Sequence, residues 1–138
     1  MNWIIKKFDA LTPHELYAIL QLRSEVFGVE QNCVYQDMDN KDQVCFHLMG
    51  WQETRLVAYT RLVPPGISYT EPSIGRVVTS RIVRGSGLGK TLVEKSIAEV
   101  LALYGKTPIK ISAQFYLKKF YESFDFKQSG EIYDEDGI

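Results

Sequence analysis

Hydrophobic and polar positions along the chain form short runs that predict a mixed α/β domain. Apolar-rich runs bounded by turn residues at 2–8, 45–51, 56–63 and 74–80 are typical of strands. The two middle runs flank "QETR" and predict an antiparallel hairpin. Two further strands are predicted toward the end of the chain, at "IKISAQ" and "EIYDE".

Apolar residues at three-to-four spacing predict the helices. The first helix begins with a capping box at Thr12 and Glu15 and has Pro13 at its first position. Its predicted apolar face consists of Leu16, Ile19, Leu20, Val26 and Phe27. The second helix repeats apolar positions at Leu88, Leu92, Val93, Ile97, Val100, Leu101 and Tyr104. Gly105 predicts its end, and "FYLKKFYESF" predicts a third, short helix, so the order is β-α-β-β-β-α-β-α-β.

Composition adds bounds to this picture. The chain has 138 residues, of which 45% are apolar and 24% charged, which suits one soluble domain over residues 1–138. A net charge of −1 gives no indication of nucleic-acid binding, and no run of about 18 apolar residues predicts a membrane span. The N-terminus lacks the order of a signal peptide, so we expect a cytoplasmic protein in which Cys33 and Cys45 are reduced.

A glycine-rich stretch, "RIVRGSGLGKTL", follows the strand at 74–80 and raises the question of a phosphate ligand. A nucleotide-triphosphate loop needs a glycine five residues before the Gly of Gly-Lys-Thr, and Arg84 stands there. The dinucleotide fingerprint fails as well, since Gly85, Gly87 and Gly89 are each separated by one residue. Two interpretations remain: a plain turn before a core helix, or a nest of main-chain amides at a helix N-terminus that holds a pyrophosphate.

The segment "RGSGLG" resembles the pyrophosphate-binding motif of the Gcn5-related N-acetyltransferases (GNAT). The preceding "RVVTS" is similar to that family's fourth strand, and "QFYLKKFYESFDF" resembles its second cofactor segment. "LRSEVFGVEQNCVYQDMDNKD" and "YDEDGI" are similar to the ElaA-like branch. The resemblance implies a mostly antiparallel sheet of six to seven strands flanked by helices. Family members run on past "EDGI" into a final strand, so we expect that strand to be missing here or a partner, such as a second copy, to complete the sheet.

The resemblance also implies a set of cofactor-binding residues and an acetyl-coenzyme A cosubstrate with no metal. The predicted cofactor contacts are Val77, Val78, Thr79, Arg84, Gly85, Ser86, Gly87, Leu88, Gly89, Lys90, Gln114 and Tyr121. In this family pattern a backbone N–H near Val78 or Thr79 stabilises the oxyanion of the tetrahedral intermediate.

The chemistry that the resemblance implies needs a proton acceptor and a proton donor. A Lys-like amine has a pKa near 10.4 and must lose a proton before it attacks, while the departing thiolate must gain one. Tyr121 is the predicted general acid, although its helical position also suits core packing. Glu30 is the first candidate for the base, with a water chain as an alternative. His47 is a further candidate, although a lone histidine among apolar neighbours is often a satisfied core residue.

The segment from residue 28 to 43 carries four acids against Lys41. It is either a solvated acidic loop or the border of an acceptor pocket that attracts a small-molecule amine or lysine-like acceptor through Glu30, Gln31, Asp37 and Asp39. The sequence thus favours an acetyl-coenzyme A-dependent N-acetyltransferase. A non-catalytic acyl-coenzyme A sensor and, with less support, a nucleotide-triphosphate binder are the alternatives.

Overall fold

The computed structural model describes residues 1–30 and 37–111, with the side chains of 28–30 excepted. Its strands are β1 (Asn2–Lys7), β2 (Phe46–Gln52), β3 (Arg55–Val63), β4 (Ser73–Thr79) and β5 (Lys110–Ile111). The helices are α1 (Pro13–Arg23), which continues into a π-helical stretch at Ser24–Glu30, and α2 (Leu88–Tyr104). Single 3-10 turns lie at Phe8–Ala10, Asp42–Val44 and Arg81–Val83.

The sheet has the order β1-β2-β3-β4-β5. Neighbouring strands from β1 to β4 are antiparallel, and β5 pairs in parallel with β4 after the α2 crossover. This mixed, mostly antiparallel sheet flanked by helices confirms the predicted fold class. The predicted third helix and the strand "EIYDE" lie outside the described residues.

One helix covers each face of the sheet. The α1 face is filled by Ile19, Leu22, Val26, Phe27, Met49, Tyr59 and Val78. The α2 face is filled by Leu48, Ala58, Leu62, Ile74, Leu92 and Val100. The pattern of the second helix predicted most of this packing, but Leu101 is exposed, and the buried Ser96 instead bonds Thr60 across the helix–sheet interface at 2.8 Å.

Local signals set both helix starts. The Thr12 hydroxyl accepts from the Glu15 amide at 3.1 Å while the Glu15 carboxylate accepts from the Thr12 amide at 2.8 Å, which confirms the predicted capping box. Helix α2 begins differently, because its N-cap is Gly87, which has no side chain to cap the helix. Gly105 ends α2 with a φ of 79°, as predicted.

Candidate functional site

The loop between β4 and α2 adopts the backbone conformation that its glycines allow. Gly85 and Gly87 have φ values of 84° and 82°, in the left-handed region where L side chains are strained. A Cβ at either position would meet no atom within 4 Å, so both glycines border open space. Conformation rather than crowding therefore requires glycine here.

The first turn of α2 presents main-chain donors to that open space. The Thr91 amide makes the first bond of the helix, to the Gly87 carbonyl at 3.3 Å. The amides of Leu88, Gly89 and Lys90 consequently have no intrahelical acceptor, and the positive end of the helix dipole coincides with them. Together with the left-handed glycines, this turn forms an anion-binding nest.

Side chains around the loop add shape and charge. The Arg84 guanidinium donates to the Thr79 carbonyl at 3.1 Å, which ties the loop to the end of β4, and Lys90 is exposed. The Ser86 hydroxyl donates to the Val83 carbonyl at 2.5 Å. A cleft of about 330 Å³ borders the loop and is lined by Met1, Gln52, Ile82, Val83, Ser86, Gly87, Leu88 and Thr91.

A second, larger cleft lies on the α1 face of the sheet, next to the segment that leads into the loop. It has a volume of about 590 Å³ and includes Glu25, Arg55, Ser80 and Arg81 in its lining. This cleft borders residues 80–82, which lead into the glycine loop.

Strand β4 contains a bulge that decides the direction of its amides. Thr79 pairs with Ala58 and Val78 with Tyr59, but Gly75 pairs with Arg61, so two residues of β4 oppose one residue of β3. The Ser80 amide donates to the Val57 carbonyl at 2.8 Å, which makes that pair a hydrogen-bonded one. Because antiparallel pairs alternate, the backbone of Val78 is directed at β3 and that of Thr79 at the β5 edge.

Three arginines and three aspartates form a closed ring of ion pairs on the α1 face. We call Arg23, Arg61, Arg76, Asp37, Asp39 and Asp42 the charge ring. Each arginine contacts two of the aspartates and each aspartate two of the arginines, at 2.7–3.4 Å. The guanidinium groups are almost completely buried and come from three different elements, α1, β3 and β4, whereas all three carboxylates come from residues 37–42.

The charge ring changes the interpretation of the acidic segment. Asp37 and Asp39 were predicted to lie in a solvated acidic loop or to attract a cationic acceptor, with only Lys41 as a local counter-charge. The solvated loop is wrong for these two residues, because buried arginines from other elements neutralise both carboxylates. Their predicted contact with the acceptor remains a prediction.

The same pairing lowers the pKa of two carboxylates, Asp39 and Asp42. Burial alone would raise the pKa of Asp39, but the hydrogen bonds and charge of Arg61, with Arg76 and the Lys41 amide, lower it to about 2. Asp42 is also subject to burial, and the charges and hydrogen bonds of Arg23 and Arg61 bring its pKa below the ordinary value.

His47 is a fully buried residue of β2 whose two ring nitrogens are both engaged. Nδ1 lies 2.6 Å from the Tyr59 hydroxyl and Nε2 lies 2.9 Å from the Asp42 carbonyl. Burial lowers the pKa of His47. The structure therefore favours the core role over that of a general base. Cys45 is likewise buried and free, its thiol donates to the Lys41 carbonyl, and burial raises its pKa to about 11.

Several predicted site residues lie outside the described part of the chain. Gln31, Gln114 and Tyr121 are among them, and the side chain of Glu30 is not described either, although its backbone ends the π-helical stretch. The roles of these four residues remain predictions.

The sequence interpretation missed the arginines of the charge ring. Arg61 and Arg76 stand in strand runs that otherwise read as apolar, and Arg23 lies beside the predicted apolar face of α1. A buried charge needs a partner, so arginines in such runs, matched by three nearby aspartates, were a usable signal.

Comparison with known proteins assigns the class. Residues 10–138 match the family model described as "Acetyltransferase (GNAT) domain". In the solved structures, an acyl-CoA N-acyltransferase from Pseudomonas aeruginosa superposes with a TM-score of 0.92 at 43% identity, covering 98% of this chain and 94% of that one. The chain therefore belongs to the GNAT acetyltransferases.

Its relatives place the chain within that family more narrowly. Protein ElaA of Escherichia coli is 39% identical over 140 residues, covering 100% of this chain and 92% of ElaA. The ElaA crystal structure superposes with a TM-score of 0.91. The UPF0039 protein sll0451 of Synechocystis sp. is 42% identical over 139 residues, covering 100% of this chain and 90% of that protein. The ElaA-like resemblance is thus confirmed. Within the described residues, neither helix is long and apolar enough to cross a membrane.

The depressed pKa of Asp39 predicts acid-sensitive folding. A carboxylate with a lowered folded-state pKa stabilises the fold above the unfolded-state pKa, and this contribution is lost as the pH falls through the folded value. We expect the free energy of unfolding, measured by urea titration, to decline between about pH 4 and pH 2. Asp39→Asn should lower the free energy of unfolding at neutral pH and flatten its decline with falling pH. Glu94→Gln removes a carboxylate from the exposed side of α2 and should do neither. A wild-type curve that is flat over this interval would contradict the assignment.

Proposed function

We propose that this protein transfers an acetyl group from acetyl-coenzyme A to a primary amine by direct attack. GNAT acetyltransferases use acetyl-coenzyme A, and the chain has the family's domain. The observation that carries the proposal is the anion-binding nest at the start of α2, because it suits a diphosphate that the backbone itself recognises. Arg84 and Lys90 would add positive charge beside that diphosphate.

The direction of the β4 backbone supports a further part of the proposal. The Thr79 amide is directed at the β5 edge, away from β3, so it is available to a group that lies along that edge. A donor there would stabilise the oxyanion that forms when the amine attacks the thioester carbon. Of the two positions predicted for this donor, the alternation favours Thr79 over Val78.

Proton transfers complete the reaction. The attacking amine arrives mostly charged, since its pKa is near 10.4, and its proton passes to Glu30 or to a water chain. When the tetrahedral intermediate collapses, the carbon–sulfur bond breaks and the thiolate takes a proton from Tyr121. A tyrosine pKa near 10 and a thiol pKa near 8.5 are close enough for this transfer.

Cofactor binding tests the nest directly. Acetyl-coenzyme A at about 100 times its dissociation constant should stabilise the fold by roughly 2.7 kcal/mol in a thermal-shift measurement, while ATP with magnesium should not. No stabilisation and no heat of binding with any acyl-coenzyme A would refute the proposed function.

A matched pair of glycine substitutions separates binding from backbone strain. Gly87→Ala forces an L side chain into the left-handed region. It should weaken acetyl-coenzyme A binding about tenfold or more, because it displaces the amides at the start of α2 that would bind the diphosphate. Gly66→Ala is the control, since Gly66 has a φ of 86°, also borders open space and lies in the β3–β4 connection. Calorimetry should show weaker acetyl-coenzyme A binding in Gly87→Ala than in Gly66→Ala. Equal affinities in the two variants would show that the nest plays no part in binding.

Tyr121→Phe tests the proton donor. We expect this variant to bind acetyl-coenzyme A like the wild type while turnover, followed as free thiol with a panel of small amines, falls by on the order of 10²–10⁴-fold. An unchanged rate would remove Tyr121 from the mechanism. Wild-type protein that binds the cofactor but releases no thiol with any amine would instead indicate a sensor.

A further inference from the structure

The bulge in β4 is centred on a residue that does not favour its backbone conformation. Arg76 has a φ of 51°, in the left-handed region that is strained for an L residue. Strain of this kind persists only where surrounding contacts determine it. Within the described residues, Arg76 Nε donates to Asp37 Oδ1 at 2.8 Å, and Nη2 donates to the Asp37 carbonyl at 2.7 Å and to Asp39 Oδ2 at 3.4 Å.

Side-chain directions show what the bulge does. Ile74 and Val77 both pack on the α2 face although they are three residues apart, and Val78 packs on the α1 face. Side chains alternate along a regular strand, so Ile74 and Val77 can share a face only if β4 contains one extra residue. Without that residue, either the apolar side chains or the amides of Val77–Thr79 would be out of phase with the rest of the sheet.

The charge ring connects this bulge to residues 37–42 of the predicted acceptor segment. Arg76 and Arg23 both donate to the Asp37 carbonyl, at 2.7 and 3.3 Å, so the backbone at residue 37 is fixed to β4 and α1 together. Buried ion pairs contribute little net stability because burial removes them from water, but their geometry is strict. A guanidinium that donates to both the carboxylate and the main-chain carbonyl of Asp37 is therefore suited to hold the bulge in position.

We propose that Arg76 is a positioning residue: its pairs with Asp37 and Asp39 hold the β4 bulge and thereby aim the Thr79 amide at the reacting thioester. The proposal rests on the proposed acetyl transfer for its kinetic consequence. Its structural consequence, the direction in which the amides of Val78 and Thr79 point, is independent of catalysis.

The test compares two substitutions that each remove one charge from the same ring. Asp42 stands directly across the ring from Arg76 and contacts only Arg23 and Arg61 among its members. Arg76→Gln should lower kcat by about 10- to 100-fold, the range that small misplacements produce, with little change in the dissociation constant of acetyl-coenzyme A. Arg76→Lys should restore part of the loss. Asp42→Asn should keep kcat within about twofold of wild type, because Asp42 does not contact Arg76 and the pairs of Arg76 with Asp37 and Asp39 remain in place.

Two measurements, the rate per cofactor-binding site and amide hydrogen exchange, separate a shift of the β4 backbone from a loss of stability. Each rate is divided by the concentration of coenzyme A-binding sites found by calorimetry, so an unfolded fraction does not count. Glu94→Gln, on the exposed side of α2, serves as a second control if Asp42→Asn folds poorly. Amide hydrogen exchange at Val78 and Thr79 is followed by NMR in parallel. We expect Val78 to lose protection in Arg76→Gln but not in the control.

The outcomes distinguish this proposal from the proposed function. Wild-type kcat and wild-type protection of Val78 in Arg76→Gln would overturn the positioning role, and so would an equal loss of kcat in Asp42→Asn. Wild-type protein without thiol release or cofactor binding would overturn acetyl transfer. In that event, the exchange pattern in Arg76→Gln would still decide whether Arg76 holds the bulge.

Discussion

The rest of this structure depends on the direction in which each side chain and each amide of β4 points. β4 must place Ile74 and Val77 against α2, Val78 against α1, and the Thr79 amide toward the edge on which β5 pairs. A regular strand cannot meet these requirements together, because its side chains and its backbone groups both alternate with a period of two. One extra residue resolves the conflict, and Arg76 takes the left-handed conformation that results.

The charge ring and the start of α2 differ in whether their polar groups have partners within the protein. In the charge ring, every guanidinium and carboxylate meets partners inside the protein, and the formal charges of three arginines and three aspartates cancel. At the start of α2, the first amides of the helix have no intrahelical acceptor, and the N-cap is a glycine. The first arrangement fixes backbone position, whereas the second leaves donors for a ligand.

Local patterns made most of the fold predictable. The capping box at Thr12, the hairpin around "QETR" and the apolar repeat of α2 each arise within a few residues, so the sequence alone locates them. The glycine loop was predictable for the same reason. Arginines in apolar runs signalled buried charge, but their pairing in the charge ring was not predictable, because Arg23, Arg61 and Arg76 reach their partners across 14 to 39 positions of the chain. The bulge is harder to locate, since one added residue shifts the alternation between Ile74 and Val77 by a single position.

The ring also limits what acidic composition can imply about the acceptor. Four acids between residues 28 and 43 would attract a cationic amine if all were free, but three of them belong to the ring. Neutral clusters produce little field beyond a few ångströms, and the Debye length in physiological salt is about 8 Å. Glu30 is the acid of this segment that the described ion pairs do not account for. Long-range steering of a cationic amine by an acidic loop therefore loses its basis, while the contact of Glu30 with the acceptor remains a prediction.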